Sequence, residues 1–148
     1  DTSSLRWNTT GITIAGVTSQ LGNASNKLNF PFGVVLDYSN TLYIADSSNH
    51  RVQKYLPDTS FGETVAGQKT GLSGANSSFL NYPRDLTVKT NGNIYVSDTD
   101  NHRILLWTSG STTGVIVTGT GKSALNASIY QDIIFVYLQV SLEMQVIN

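Results

Sequence analysis

The chain has 148 residues, a formal net charge of −1 and no cysteine. That size points to one domain, and the missing thiols remove disulfides, thiolate metal sites and cysteine nucleophiles together. Charged residues make up only 13%, so the near-neutral surface exerts no long-range pull on nucleic acid or an anionic membrane. Hydrophobic residues, at 39%, suffice for a core, and no apolar run approaches the ~18 residues of a membrane span.

Asp1 is neither an initiator Met nor the start of a charged-then-apolar leader, so the chain is expected to be processed or excerpted. Leu5-Arg6-Trp7 followed by Gly11 to Gly16 reads as the third and fourth strands of a sheet whose beginning is missing, spanning 1–16. The first whole unit covers 31–67. Its predicted strands are Gly33 to Asp37, Thr41 to Ala45, Arg51 to Tyr55 and Glu63 to Ala66. Each is short, alternating or β-branched, and separated from the next by turn residues.

The second unit, 83–119, repeats this order. Leu86 to Lys89 alternates apolar and polar, and Thr90-Asn91-Gly92-Asn93 makes a turn through residues that tolerate positive φ. Ile94 to Ser97, Arg103 to Trp107 and Val115 to Thr118 complete four strands. Pro31 and Pro83, Asp46 and Asp98, and His50 and His102 each lie 52 residues apart. A fixed period of this size marks one supersecondary unit copied along the chain. Residues 120–148 open a further, degenerate unit with Asp132 where the proline belongs. The tail Ile133 to Leu142, uncharged and free of proline, is the most aggregation-prone window.

Four short antiparallel strands per unit, with no helical periodicity between them, predict an all-β fold: a β-propeller of four-stranded blades. The length allows about three blades, too few to close a ring comfortably. The chain is then an excerpt of a longer propeller, the favoured reading, or one half of a ring completed by self-association with a second copy.

Asp46, Asn49, His50 and Arg51, with Asp98, Asn101, His102 and Arg103, combine acid, amide, imidazole and guanidinium. They recur at equivalent positions, as fold determinants do, whereas a catalytic site breaks repeat symmetry. They are expected to cap turns and bridge neighbouring groups. Zinc needs three or four converging ligands and calcium several oxygens. His50 and His102 are the only histidines, and equivalent turns on adjacent blades do not converge, so no metal or other cofactor is expected. Gly119-Thr120-Gly121-Lys122-Ser123 lacks the first glycine of a phosphate loop. No catalytic residue is assigned.

Symmetry fails at Arg84 and Asp85, which replace Phe32 and Gly33 at the start of an innermost strand. They are the candidates for a binding face. Tyr43, Tyr55, Tyr95 and Trp107 are expected in the core between blades. Asn8, Asn23, Asn76 and Asn126 begin Asn-x-Ser/Thr sequons. Three of the four fall in the loop between units, which favours an extracellular or lumenal setting over the cytoplasm.

The repeated Asn-His-Arg turns, 49–51 and 101–103, and the segment Pro31-Phe32-Gly33-Val34-Val35-Leu36-Asp37 resemble the NHL repeat family. The resemblance covers about residues 5–131. The second copy departs from it at Asp85, for glycine, and Lys89, for aspartate. The resemblance implies a six-bladed propeller or part of one. It implies no single function, because the family includes binding platforms and a few enzymes. A non-catalytic module that engages a protein or glycan through its loops is the favoured expectation. The alternative is a fragment of a propeller enzyme, a metal-dependent lyase or lactonase, whose catalytic residues lie elsewhere. RNA binding needs a basic face, and nine Lys/Arg against ten Asp/Glu supply none.

Overall fold

A computed structural model of the chain describes residues 10–119. Within them lie eight strands in two sheets. Strands β1 (Pro31–Leu36), β2 (Leu42–Asp46), β3 (Arg51–Tyr55) and β4 (Glu63–Gly67) form one sheet. Strands β5 (Pro83–Val88), β6 (Ile94–Asp98), β7 (Arg103–Trp107) and β8 (Val115–Thr118) form the other. Both are antiparallel meanders in chain order. These are the two propeller blades expected from the repeat. Among the described residues, no helix is long and apolar enough to cross a membrane.

The hairpins follow from local chemistry. Asp37 Oδ1 accepts the Ser39 and Thr41 backbone N–H groups, closing the β1–β2 turn. In the second blade, Asn91 Oδ1 accepts the Asn93 N–H and Gly92 alone takes the positive φ, at 79°. Between the second and third strands of each blade, a single 3-10 turn (Ser47–Asn49, Thr99–Asn101) ends on a left-handed histidine. His50 has φ 51° and His102 φ 50°.

Strand periodicity sorts the side chains to two faces. Tyr43, Ala45, Val52 and Ala66 of the first blade meet Leu86, Val88, Ile94, Val96, Leu105 and Trp107 of the second, with Leu80 from the connecting loop. On the opposite face of the first blade, Leu42, Ile44 and Tyr55 pack with Ala15 and Leu28. All five residues of β2 are therefore buried, whereas β6 alternates. Tyr95 is half-buried, on the face of the second blade turned away from the first, and lies outside the described core.

The inner strands approach closely. A Cβ added to Gly33 would sit 2.8 Å from both the Arg84 carbonyl oxygen and the Asp85 Cα. Each first strand also carries a register shift, between Pro31 and Val34 and between Pro83 and Asp85, so the proline ends pair with the aspartates that close β2 and β6.

Two sequence expectations need correction. The inner strands begin earlier than read, at Pro31 and Pro83. A proline lacking N–H is tolerated there because it opens the strand beside the bulge. Gly11 to Gly16, expected as a fourth strand, forms no ladder; only isolated bridges at Val17–Gln20 and Leu21–Leu28 follow. Ile12 is 85% exposed. The third strand expected at 5–7 lies outside the described residues. The expected partial blade at 120–148 also lies outside them.

Candidate functional site

Asp46 ends β2 fully buried, and both its oxygens are engaged. Oδ1 accepts the Asn29 N–H at 2.7 Å; Oδ2 accepts Asn49 Nδ2 and Arg51 Nε, each at 2.8 Å. Arg51 then turns its remaining donors onto the loops that lead into and out of the blade. Nη1 reaches the carbonyls of Asn23 and Lys69, and Nη2 those of Ala24 and Lys27. Asn49 Nδ2 also reaches the Gly22 carbonyl.

The second blade repeats the arrangement on the loop that leads into it. Asp98 Oδ1 accepts the Asn81 N–H at 2.6 Å, and Oδ2 accepts Asn101 Nδ2 at 2.9 Å and Arg103 Nε at 2.7 Å. Arg103 donates to the carbonyls of Ala75, Asn76 and Phe79, and Asn101 to that of Gly74. Burial pushes the Asp98 carboxyl above its ordinary range, and the Asn101, Asn81 and Arg103 hydrogen bonds pull it back. A buried guanidinium with five donors suits a site rich in backbone carbonyls. Chemically, the constellation is a clamp that fastens an irregular loop to a blade.

The two histidines stand outside the clamp. His50 Nδ1 accepts the Tyr82 backbone N–H at 3.1 Å, and the rings meet edge to face. Burial lowers the His50 pKa, opposed by Asp100, Asp98 and Asp46. Ser47 Oγ donates to the Pro83 carbonyl. The first turn is thus tied to the mouth of the second blade. Among the described residues, no three His, Asp or Glu side chains cluster to hold a metal.

Arg84 is exposed, with its guanidinium carbon 5.6 Å from the Phe32 ring centroid. Asp85 is half-buried and turns Oδ1 onto the Leu86 N–H at 2.9 Å. The two singled-out residues therefore do not pair with each other: one faces outward and the other caps its own strand. The sequence reading missed Phe32 and Tyr82 as partners of Arg84 and His50. An aromatic residue before each proline, Phe30 and Tyr82, is a signal at the 52-residue period that marks this place.

Several concave surfaces among the described residues lie between the blades, two of them beside charged side chains. One, of about 410 Å³, sits by the first hairpin turns, lined by Asp37, Tyr38, Thr87 and Lys89 among others. The other, of about 510 Å³, opens at the outer strands beside Tyr43, Lys54, Glu63, Lys69 and Ser109. Asn23 and Asn76 are both exposed, though at successive rather than equivalent places. Arg51 Nη1 holds the Asn23 carbonyl, whereas in the second loop Nη1 holds Ala75 and Nη2 holds Asn76. Asn8 and Asn126 lie outside the described residues.

The NHL repeat family model matches residues 28–55 and 80–105, the first three strands of the first blade and, in the second, the first two strands with the start of the third, each with the residues just before them. Each of the two blades thus carries a segment that matches the NHL repeat. It is 40% identical over 84 residues to NHL repeat-containing protein 2 of Homo sapiens, covering 53% of this chain and 12% of that protein. The Bos taurus protein of the same name is 39% identical over 84 residues, with the same coverage. Protein SUPPRESSOR OF QUENCHING 1, chloroplastic, of Arabidopsis thaliana is 34% identical over 82 residues, covering 52% of this chain and 8% of that protein. The match thus spans about an eighth or less of the length of these relatives.

Proposed function

We propose that this NHL-repeat chain is a non-catalytic binding segment of a larger propeller, one that engages a protein or glycan partner through loops and grooves on rigid blades. The observation that carries this reading is how the repeated turn spends its chemistry. Both oxygens of Asp46 and of Asp98 and the donors of Arg51 and Arg103 are committed to holding loops. Among the described residues, both carboxylates of the motif are fully engaged, and His50 Nδ1 is taken up by the Tyr82 N–H. What faces outward is hydroxyl, amide and aromatic surface on short connections, the usual seat of recognition on a repeated scaffold.

The ring to which these blades belong is proposed as six-bladed, as the family resemblance implies. The setting is proposed as extracellular or lumenal, on the exposure of the Asn23 and Asn76 sequons. The test uses the full 148-residue chain, shown to be β-rich and monodisperse, against arrayed glycans and a random peptide library. Saturable binding is the expected result. Turnover of lactones or esters on addition of divalent metal would overturn the reading.

A further inference from the structure

Among the surfaces of the two blades, the inner edge where Phe32 meets Arg84 is the one whose chemistry names a partner. Phe32 is 65% exposed and Phe30, two residues before it, 69%. Tyr82 stands at the same place in the second blade and is also exposed. Exposed aromatics beside arginine form the composition that dominates interface energetics. Here they flank a position that breaks the repeat, because the first blade carries Phe32-Gly33 where the second carries Arg84-Asp85.

The Arg84 side chain is not needed to join the blades. That joint is made by its backbone: the Arg84 carbonyl and the Asp85 Cα press against Gly33. Asp85 is spent on the Leu86 N–H. Among the described residues, the Arg84 side chain forms neither an ion pair nor a hydrogen bond, and its guanidinium carbon lies over the Phe32 ring, 5.6 Å from the centroid. A guanidinium held over a ring by cation–π attraction keeps N–H donors for a ligand, and its fork matches a carboxylate through two parallel hydrogen bonds. The contact with the ring restrains the side chain, which reduces the ordering cost of binding.

We infer that Arg84, held over Phe32, is the docking point for a carboxylate side chain of an acidic peptide segment whose neighbouring apolar side chains rest on Phe30 and Tyr82. The inference rests on the binding-module reading above and names its partner. A peptide is favoured over an acidic glycan because the surface around the guanidinium is aromatic and aliphatic: Val34 is exposed on the same strand as Phe32.

The test is selection from a random dodecapeptide library on the full chain and on its Arg84→Gln variant, with circular dichroism as the control for folding. Peptides enriched in Asp and Glu are expected on the wild type, and their affinity should fall roughly tenfold on Arg84→Gln. Arg84→Lys, which keeps the charge and loses the planar fork, should show a smaller loss. Phe32→Ala, which removes the platform, should weaken the same peptides. Acidic peptides that bind Arg84→Gln equally well would overturn the inference. So would selected peptides without acidic enrichment, which would leave the binding-module reading standing. Recovery of uronic-acid oligosaccharides from an array, with no acidic peptide selected, would also overturn it. No peptide or glycan binding at all would remove both.

Discussion

His50 Nδ1 accepts the backbone N–H of Tyr82 at 3.1 Å, while the two rings meet edge-on with centroids 4.7 Å apart. This contact joins the turn of one blade to the first residues of the next. It requires an unprotonated Nδ1, because an imidazolium has no lone pair to offer there.

A dependence of stability on pH follows. Burial holds the folded-state pKa of His50 below its ordinary 6.5. Between the lowered value and 6.5 the unfolded chain binds more protons than the folded one, so stability rises with pH across that window. The contribution is complete above pH 6.5, is lost as pH falls through the window, and changes no further below the folded pKa. Thermal midpoints should therefore be lower at pH 5 than at pH 7.5. The His50→Asn variant, which keeps a residue tolerant of φ 51°, should show a flatter curve. An unchanged slope would remove His50 as the origin.

The clamp predicts a large penalty for a nearly isosteric change. In Asp98→Asn one new amide group must face Arg103 Nε and Asn101 Nδ2, donor against donor, or else the Asn81 N–H loses its acceptor. A buried arginine without its carboxylate costs about 3–5 kcal/mol, a large part of the roughly 5–15 kcal/mol that holds a domain. Urea unfolding of wild type and variant measures it. A loss below about 1 kcal/mol would mean that the clamp is dispensable.

Gln53 predicts a gain. It is fully buried; among the described residues its Nε2 has no hydrogen-bond partner, and its Oε1 accepts from Thr64 across the strands. At the equivalent place the second blade pairs Leu105 with Ile116. The double substitution Gln53→Leu, Thr64→Ile copies that pair and should stabilise the chain by about 1 kcal/mol, the cost of one buried unpaired donor. Calorimetry would show a raised midpoint; a lowered one would show that the amide serves a partner absent from the described residues.

Gly33 is required for space rather than for backbone freedom, since its φ is not among the positive ones. Gly33→Ala should force the inner strands apart and cost about 1–3 kcal/mol, measured by the same urea titration. Retained stability would show that the strands can separate without loss.

The period of 52 residues and the alternation within strands made the sheet order readable, because both are local properties of the chain. Arg51 to Tyr55, Arg103 to Trp107 and Val115 to Thr118 coincide with β3, β7 and β8. Strand starts at Pro31 and Pro83 were not legible, since a bulge hides the pairing that defines them. The loops held by Arg51 and Arg103 leave no trace in the sequence beyond turn residues: their carbonyls are backbone, identical in every amino acid. The His50–Tyr82 and Arg84–Phe32 contacts join residues 32 and 52 positions apart, and nothing in either segment alone announces the other.

The clamp has a consequence for how such a chain is extended. Its strongest bonds fall between residues 22–29 and residues 46–51, and again between 74–81 and 98–103. The length that carries its own fastening therefore begins at the loop ahead of a sheet rather than at the sheet's first strand. A duplication cut at that loop delivers a copy with its fixing included, needing from its neighbour an apolar face, room for a glycine and the turn contacts of the kind that Ser47 and His50 make with Pro83 and Tyr82. Tandem growth then asks for no new polar invention at each joint, and the turn residues of one copy stay free to remain the same in the next while the exposed positions between them diverge.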